Sequence, residues 1–268
     1  MKKMIVFSDL DGTLLDHNNY EWTPATDAIN LLKKNNFPLI INSSKTSTEI
    51  SLIRKDIGNT DPYICENGAV LHLNENMTES SSDTFYAMYF TKPYEYLRET
   101  LNALKCKYNY EMTGFGDIDL ETLMNLTGLN KINASAAKSR EATEPLKWND
   151  TEESLNLFIK QLKDYELTLT KGGRFYHLMS PVSKGDSIDF VLNKYKEIEP
   201  DTEWITVGLG DSFNDIPMLE LVDYPILIRN SHGKRPVTSH LKNLTESEQE
   251  GPSGWNSEIL KMIKTTTG

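Results

Sequence analysis

Four apolar residues, Met4 to Phe7, run through Ser8 straight into Asp9-Leu10-Asp11-Gly12-Thr13. A run that short, closed by an aspartate-glycine turn, reads as a buried strand rather than a helix. It leaves two carboxylates at the carboxyl end of the strand, the edge where open parallel sheets place their ligand sites. Acids so close repel and raise one another's pKa unless a proton or a cation lies between them, and a divalent metal is the simpler remedy. A plain strand-to-turn transition offers the same residues, so the motif constrains the fold before it constrains the chemistry.

The segments that follow alternate between strand and helix. Thr23-Pro24 supplies a helix start, with Ala25, Ala28, Ile29 and Leu32 on the core side. Leu39 to Ile41 is a second buried strand, and Thr46 with Glu49 forms a capping-box pattern ahead of Ile50, Ile53 and Ile57. Tyr63 to Cys65 is a third strand, Glu66-Asn67-Gly68 a turn, and Ala69 to Leu73 a returning strand. A polar, serine-rich stretch at 74–84 then reads as a linker into a second unit. That unit carries predicted helices near 93–105, 119–127, 130–140 and 150–163, and a hairpin turning at Gly172-Gly173. Beyond Pro181 the first pattern resumes, with a helix from Ser183, a strand at Trp204 to Leu209, a helix from about Asn214, a strand at Ile226 to Ile228 and a last helix carrying Trp255, Ile259 and Met262. The predicted architecture is α/β: a Rossmann-like parallel-sheet core, residues 1–82 and 182–268, interrupted by an α+β cap at 83–181.

Acidic residues outnumber basic ones, 39 to 28, for a formal charge of −11, with no dense basic stripe to offset it. Such a chain repels nucleic acid, so an anionic small molecule has to be drawn by individual cations. No apolar run approaches the length of a membrane span, and the four-residue run after Lys2 and Lys3 is too short for a signal-peptide core; the expectation is a cytoplasmic protein. Cys65 and Cys106 lack both disulfide and metal-ligand spacing and receive no role.

A second acidic cluster, Gly208-Leu209-Gly210-Asp211-Ser212-Phe213-Asn214-Asp215, follows the strand at 204–209. Taken with the first it brings four acids toward one sheet edge. Magnesium typically uses one or two carboxylates and keeps positions for water and phosphate, so Asp9 and Asp211, with a carbonyl from Asp11, are candidate ligands. Asp215 suits the shell behind them. Ser43 ends the second strand, where its hydroxyl and nearby amides can meet phosphoryl oxygens; a serine-rich turn before a capped helix is the alternative. Lys184, at the start of a predicted helix, gains nothing from the helix dipole unless it faces an anion; a solvated surface lysine is the alternative there.

In that order, DLDGT, Ser43, Lys184 and GDSFND resemble the four motifs of the haloacid dehalogenase superfamily, across both halves of the core. The resemblance implies an aspartyl-phosphate phosphatase with Asp9 as nucleophile and Asp11 as general acid and base. It further implies Ser43 and Lys184 as phosphoryl binders, and a Mg²⁺ ion held by Asp9, Asp11, Asp211 and Asp215.

Flanking phrases narrow it. SSKTSTE at 43–49, ENGAV at 66–70, REATEPLKW at 140–148, GGRFYHLM at 172–179 and GPSGW at 251–255 are similar to the mannosyl-3-phosphoglycerate phosphatase family, which carries a C2-type cap. Ser44 and Lys45 stand where other sugar-phosphatase relatives carry a glycine and an arginine. The implied substrate has a phosphate, a carboxylate and a sugar. Ser44, Lys45, Glu66, Asn67, Arg140, Thr143, Lys147 and Arg174 are its candidate contacts, the arginines because a planar fork can grip both carboxylate oxygens. The implied partner is a small phosphorylated metabolite, handled by a monomer or homodimer without nucleic acid or membrane. Hydrolysis of the glucosyl analogue or of general sugar phosphates stays open, as do a phosphomutase and a non-catalytic metabolite-binding protein.

Overall fold

A computed structural model describes residues 2–74, 77, 86–172, 174–231 and 236–267. Of the expected linker at 74–84 only Asn74 and Met77 fall among them, and Gly173 of the expected hairpin turn lies outside them. The first elements in chain order are β1 (Lys2–Ser8), α1 (Thr26–Lys34), β2 (Leu39–Asn42), α2 (Ser47–Ile57), β3 (Tyr63–Cys65), β4 (Val70–Leu73) and β5 (Tyr86–Tyr89). Next come α3 (Tyr94–Tyr108), β6 (Met112–Gly114), α4 (Leu120–Thr127), α5 (Lys131–Lys138), β7 (Thr143–Trp148), α6 (Glu152–Leu162), β8 (Thr168–Lys171) and β9 (Tyr176–Met179). The chain closes with α7 (Ile188–Ile198), β10 (Glu203–Gly210), α8 (Ile216–Leu219), β11 (Tyr224–Arg229), β12 (Thr245–Glu250) and α9 (Gly251–Thr267).

The chain divides into two compact units. One comprises Met1–Ser43, Asn59–Ala87 and Ser183–Gly268, the other Ser44–Gly58 and Met88–Val182. The first contains a mostly parallel sheet in the order β12-β11-β10-β1-β2-β3-β4-β5, the α/β core expected from the strand-helix alternation. Its central strand β1 is buried from Met4 onward and pairs in parallel with both β10 and β2. Ser8 is level with Leu209 on one side and Ile41 on the other, so Asp9, Ser43 and Asp211, each one or two residues farther on, reach the same carboxyl edge. Strand β3 is parallel to β2, and β4 returns antiparallel to β3 after the Glu66–Gly68 turn.

Three departures from the expected elements have local causes. The helix expected from Ser183 begins at Ile188, because the Asp186 carboxylate accepts bonds from the amide and the hydroxyl of Ser183 and folds 183–187 into a turn. On α9 the buried stripe is Trp255, Ile259 and Ile263, with Met262 only half-buried. Strand β12, Thr-Glu-Ser-Glu-Gln-Glu, has no apolar alternation; it is a charged edge strand of which only Ser247 is buried.

The second unit has its own antiparallel sheet, β6-β7-β9-β8. Helices α3 and α6 cover it with Leu97, Leu101, Leu104, Phe158 and Leu162 against Leu146 and Leu178. Helix α2 packs on α5 within the same unit. Its start is the capping box read from Thr46 and Glu49, with Glu49 N donating to Thr46 Oγ1 and Thr46 N to the Glu49 carboxylate. Among the described residues no helix is long and apolar enough to cross a membrane.

Candidate active site

The parallel ladder carries one residue past β1: Asp9 N donates to Leu209 O at 2.9 Å, which pins the backbone of Asp9 to β10. The chain then curls on itself, with Leu15 N bonded to Leu10 O at 2.8 Å and Gly12 N to Leu15 O at 2.9 Å. Gly12 sits at φ +79°, and a Cβ there would stand 2.8 Å from Asp211 Oδ2. Glycine therefore serves both the turn and the close approach of this loop to the second acidic motif. Thr13 Oγ1 donates to Asp211 Oδ1 at 3.2 Å, and Asn230, just past β11, donates to Asp211 Oδ2.

After β10, Asp215 ties its own loop together: its Oδ2 accepts the amides of Asp211 and Ser212, both at 3.0 Å. Its Oδ1 accepts from Lys184 Nζ at 2.5 Å, and the same ammonium donates to Asp9 Oδ1 at 2.5 Å. Lys184 is 1% exposed and its carbonyl accepts from Asn42 Nδ2 at 2.7 Å. It is a buried cation on the nucleophile candidate, and the solvated-lysine alternative does not describe it.

Burial pushes Asp9 well above the usual carboxylate range; Lys184 opposes the rise, while Asp215, Asp211 and Asp11 add to it. Burial, then Asp215, pushes Asp211 up to about 7. For Lys184 burial works against the charge, but Asp215 and Asp9 outweigh it and hold the ammonium above its ordinary value. The carboxylates thus outrun the positive charge supplied to them, as at sites built for a further ligand. Oxygens of Asp9, Asp211 and Asp215 lie within 4.8 Å of one another, a donor set that fits a hard divalent cation.

Ser43 is fully buried at the end of β2, its amide bonded to Ile64 O and its carbonyl accepting from Asn67 N, each at 3.0 Å. Glu66 and Asn67 are buried in the turn after β3, and Asn67 Oδ1 accepts from Asn214 Nδ2 at 3.0 Å. Asp11 is half-buried in the loop after β1.

The remaining candidates belong to the second unit. There Arg140 Nη1 donates to Ser44 O at 2.9 Å and to Thr143 Oγ1 at 3.3 Å, its Nε donates to Ala137 O, and Glu49 lies 3.8 Å from Nη2. Lys45 is 3.9 Å from Glu49. Ser44, Lys45, Arg140 and Thr143 therefore form one cluster. Lys147 is exposed on β7, and Arg174, also exposed, donates to Thr127 O at 2.9 Å; among the described residues neither bonds to Arg140.

The sequence assigns no role of their own to Thr13, Asn214 or Asn230, yet all three bond to candidate site residues. Thr13 was within the motif already. Asn230 carried one usable signal, its place at the carboxyl end of a strand predicted to lie in the parallel sheet.

A family model described as haloacid dehalogenase-like hydrolase matches residues 6–253. The chain is 34% identical over 267 residues to a glucosyl-3-phosphoglycerate/mannosyl-3-phosphoglycerate phosphatase of Methanococcoides burtonii, covering 97% of each chain. A protein described in the same words from Persephonella marina is 35% identical, again over 97% of each. Among solved structures, one from Thermoplasma acidophilum superposes with a TM-score of 0.67 at 18% identity, covering 100% of this chain and 99% of the other. The sucrose-phosphatase of Synechocystis does so with a TM-score of 0.63 at 15% identity, covering 100% and 99%. At such identities these two establish likeness of fold.

Proposed function

The chain belongs to the haloacid dehalogenase-like hydrolases, and from that premise we propose that it is a phosphoric monoester hydrolase acting on glucosyl- and mannosyl-3-phosphoglycerate. The observation that carries the reading is the buried ammonium of Lys184 shared between Asp9 and Asp215, beside Asp211, in a chain that matches two such phosphatases over nearly its whole length.

In this reading the Asp9 carboxylate attacks phosphorus and the bond to the ester oxygen breaks. Asp11 gives its proton to the departing alkoxide. Asp11 then takes a proton from water, whose oxygen attacks the phosphorus of the aspartyl phosphate; inorganic phosphate leaves and Asp9 returns as a carboxylate. Lys184 and Ser43 neutralise and orient the phosphoryl oxygens. Asp9, Asp211 and the carbonyl of Asp11 would hold a Mg²⁺ ion, with Asp215 behind them because both its oxygens are already taken by Lys184 and the loop amides. When bound, the ion supplies charge neutralisation for the phosphoryl oxygens.

Among the candidate contacts named from the sequence, specificity is assigned first to the cations other than Arg140. In a chain of charge −11 the glycerate carboxylate needs local cations, and Lys45, Lys147 and Arg174 are offered for it. Arg140, with Nε on Ala137, Nη1 on Ser44 and Thr143 and Nη2 beside Glu49, supports the loop that bears Ser44 and Lys45.

The test is phosphate release from both glycosyl-3-phosphoglycerates and a panel of simple sugar phosphates, with Mg²⁺ and in chelator. The expected result is preference for the two glycerate esters, no turnover in chelator and recovery on adding Mg²⁺. Arg174→Ala should lower kcat/KM for the glycerate esters roughly ten- to a hundredfold and change an aryl phosphate much less. Full activity in chelator, or equal rates across the panel, would sink the metal assignment or the substrate assignment respectively.

A further inference from the structure

Strand β3 ends at Cys65, and the next three residues all take left-handed backbone: φ is 51° at Glu66, 62° at Asn67 and 96° at Gly68. Side chains with a Cβ disfavour that region, and two buried ones in a row persist only where the surroundings hold them. The surroundings here are three segments of the candidate active site. Asn67 N donates to Ser43 O at 3.0 Å, and Asn67 Oδ1 accepts from Asn214 Nδ2 at 3.0 Å. Asn214 Oδ1 in turn accepts from Ser212 Oγ at 2.5 Å, which lies 3.1 Å from the Asp215 carboxylate that meets Lys184. At Gly68 an added Cβ would stand 1.9 Å from the carbonyl of Ser183, so the turn rests against the chain leading into Lys184.

We propose that Asn67 is a positioning residue, which sets the register between the Ser43 end of β2, the Lys184 turn and the acidic loop at 211–215. This rests on the phosphatase reading for its consequence, because a bracket across those segments matters only if they act together on one phosphoryl group. Asn67 works through its two bonds to the protein; its place in the reaction is indirect, unlike that of a residue gripping a sugar hydroxyl. Loss of the bracket therefore slows the chemical step by misplacing groups that bind nearly as before.

Asn67→Gly tests this well, since glycine accepts φ near +60° without strain and removes only the side chain. Wild type, Asn67→Gly, Asn214→Ala and the double variant are compared on an aryl phosphate, which has no sugar to lose contact with. Asn67→Gly should keep its melting temperature, lose about tenfold in kcat and hold KM within about twofold. The double variant should be no slower than Asn214→Ala, because both changes delete the same bond. Asn67→Asp, which keeps the acceptor, should recover most of the rate, and it carries the comparison if the glycine variant does not fold. Hydrogen exchange gives a readout free of turnover: amides of 211–215 should exchange faster in Asn67→Gly while β1 is unchanged.

A kcat within twofold of wild type, a loss confined to KM, multiplicative losses in the double variant, or unchanged exchange at 211–215 would each overturn the proposal. Should wild type hydrolyse no ester at all, the phosphatase reading fails by itself, and the exchange comparison still decides whether Asn67 holds the loop.

Discussion

Two clusters of acidic side chains, one in each unit, are handled in opposite ways. In the first unit Asp9, Asp211 and Asp215 crowd together with Lys184 between two of them, and burial followed by the neighbouring Asp215 pushes Asp211 up to about 7. In the second unit Glu144, fully buried, takes Arg98 Nη1 at 2.7 Å, Gly116 N at 2.8 Å and Tyr94 OH at 2.6 Å. Asp117 bonds the other arm of Arg98. Burial alone would raise Asp117, yet the bonds from Arg98 and the Gly114 amide outweigh it and hold it below the usual carboxylate range. Burial and the neighbouring Asp215 thus move Asp211 up, while the donors around Asp117 move that carboxyl down. The first arrangement is a donor set that fits a divalent cation, while the second ties the β6 turn to β7.

Three experiments break or sharpen that contrast, beginning with the largest effect. Asp9→Asn keeps the volume of the side chain and removes the attacking carboxylate, so phosphate release should fall at least about a thousandfold with the circular dichroism spectrum unchanged. Asp11→Asn should be severely impaired as well. Turnover of Asp9→Asn within about tenfold of wild type would mean that the crowded acids are not there for nucleophilic chemistry.

Next comes stability under substitution in each cluster. Glu144→Ala removes the acceptor of one Arg98 arm, of the Tyr94 hydroxyl and of the Gly116 amide and should cost roughly 3 kcal/mol in urea unfolding, while Asp211→Asn relieves repulsion and should raise the melting temperature of the metal-free protein by a few degrees. Calorimetry should at the same time show Mg²⁺ binding to wild type and not to Asp211→Asn. If both variants destabilised equally, the distinction between paired and unpaired clusters would collapse.

The smallest effect concerns His177 on β9, where burial, then Arg140, pushes the imidazole down to about 3. A base whose folded pKa is lowered stays neutral in the fold while the unfolded chain takes up protons. Stability is therefore lost as pH falls below the ordinary value of 6.5, until about 3, where the folded form also protonates. At pH 5.5 the loss should be about 1 kcal/mol, and His177→Gln should flatten that limb of the curve. An unchanged acid limb in the variant would assign the loss to other groups.

Much of the core was legible because its signals are local. Short apolar runs ending in aspartate located β1 and β10, and the Thr46–Glu49 capping box located the start of α2. Strand β12 was not legible, since an edge strand of alternating glutamates carries no buried face for a pattern to report. The start of α7 was misplaced for a different reason: Ser183 looks like a helix cap, but Asp186 captures it in a turn.

By itself the sequence determined the strand-helix alternation around β1, β2, β3 and β10, the two acidic motifs and the turn at Glu66–Gly68, all set by propensity and spacing over a few residues. Only the tertiary structure decided which groups meet. Lys184 reaches Asp9 across 175 positions of chain, Asn214 reaches Asn67 across 147, and Arg140 Nη1 reaches Ser44 across 96. The physical reason is that a buried polar group must find a partner wherever packing brings one within about 3 Å, and a local pattern of residues carries no record of that distance.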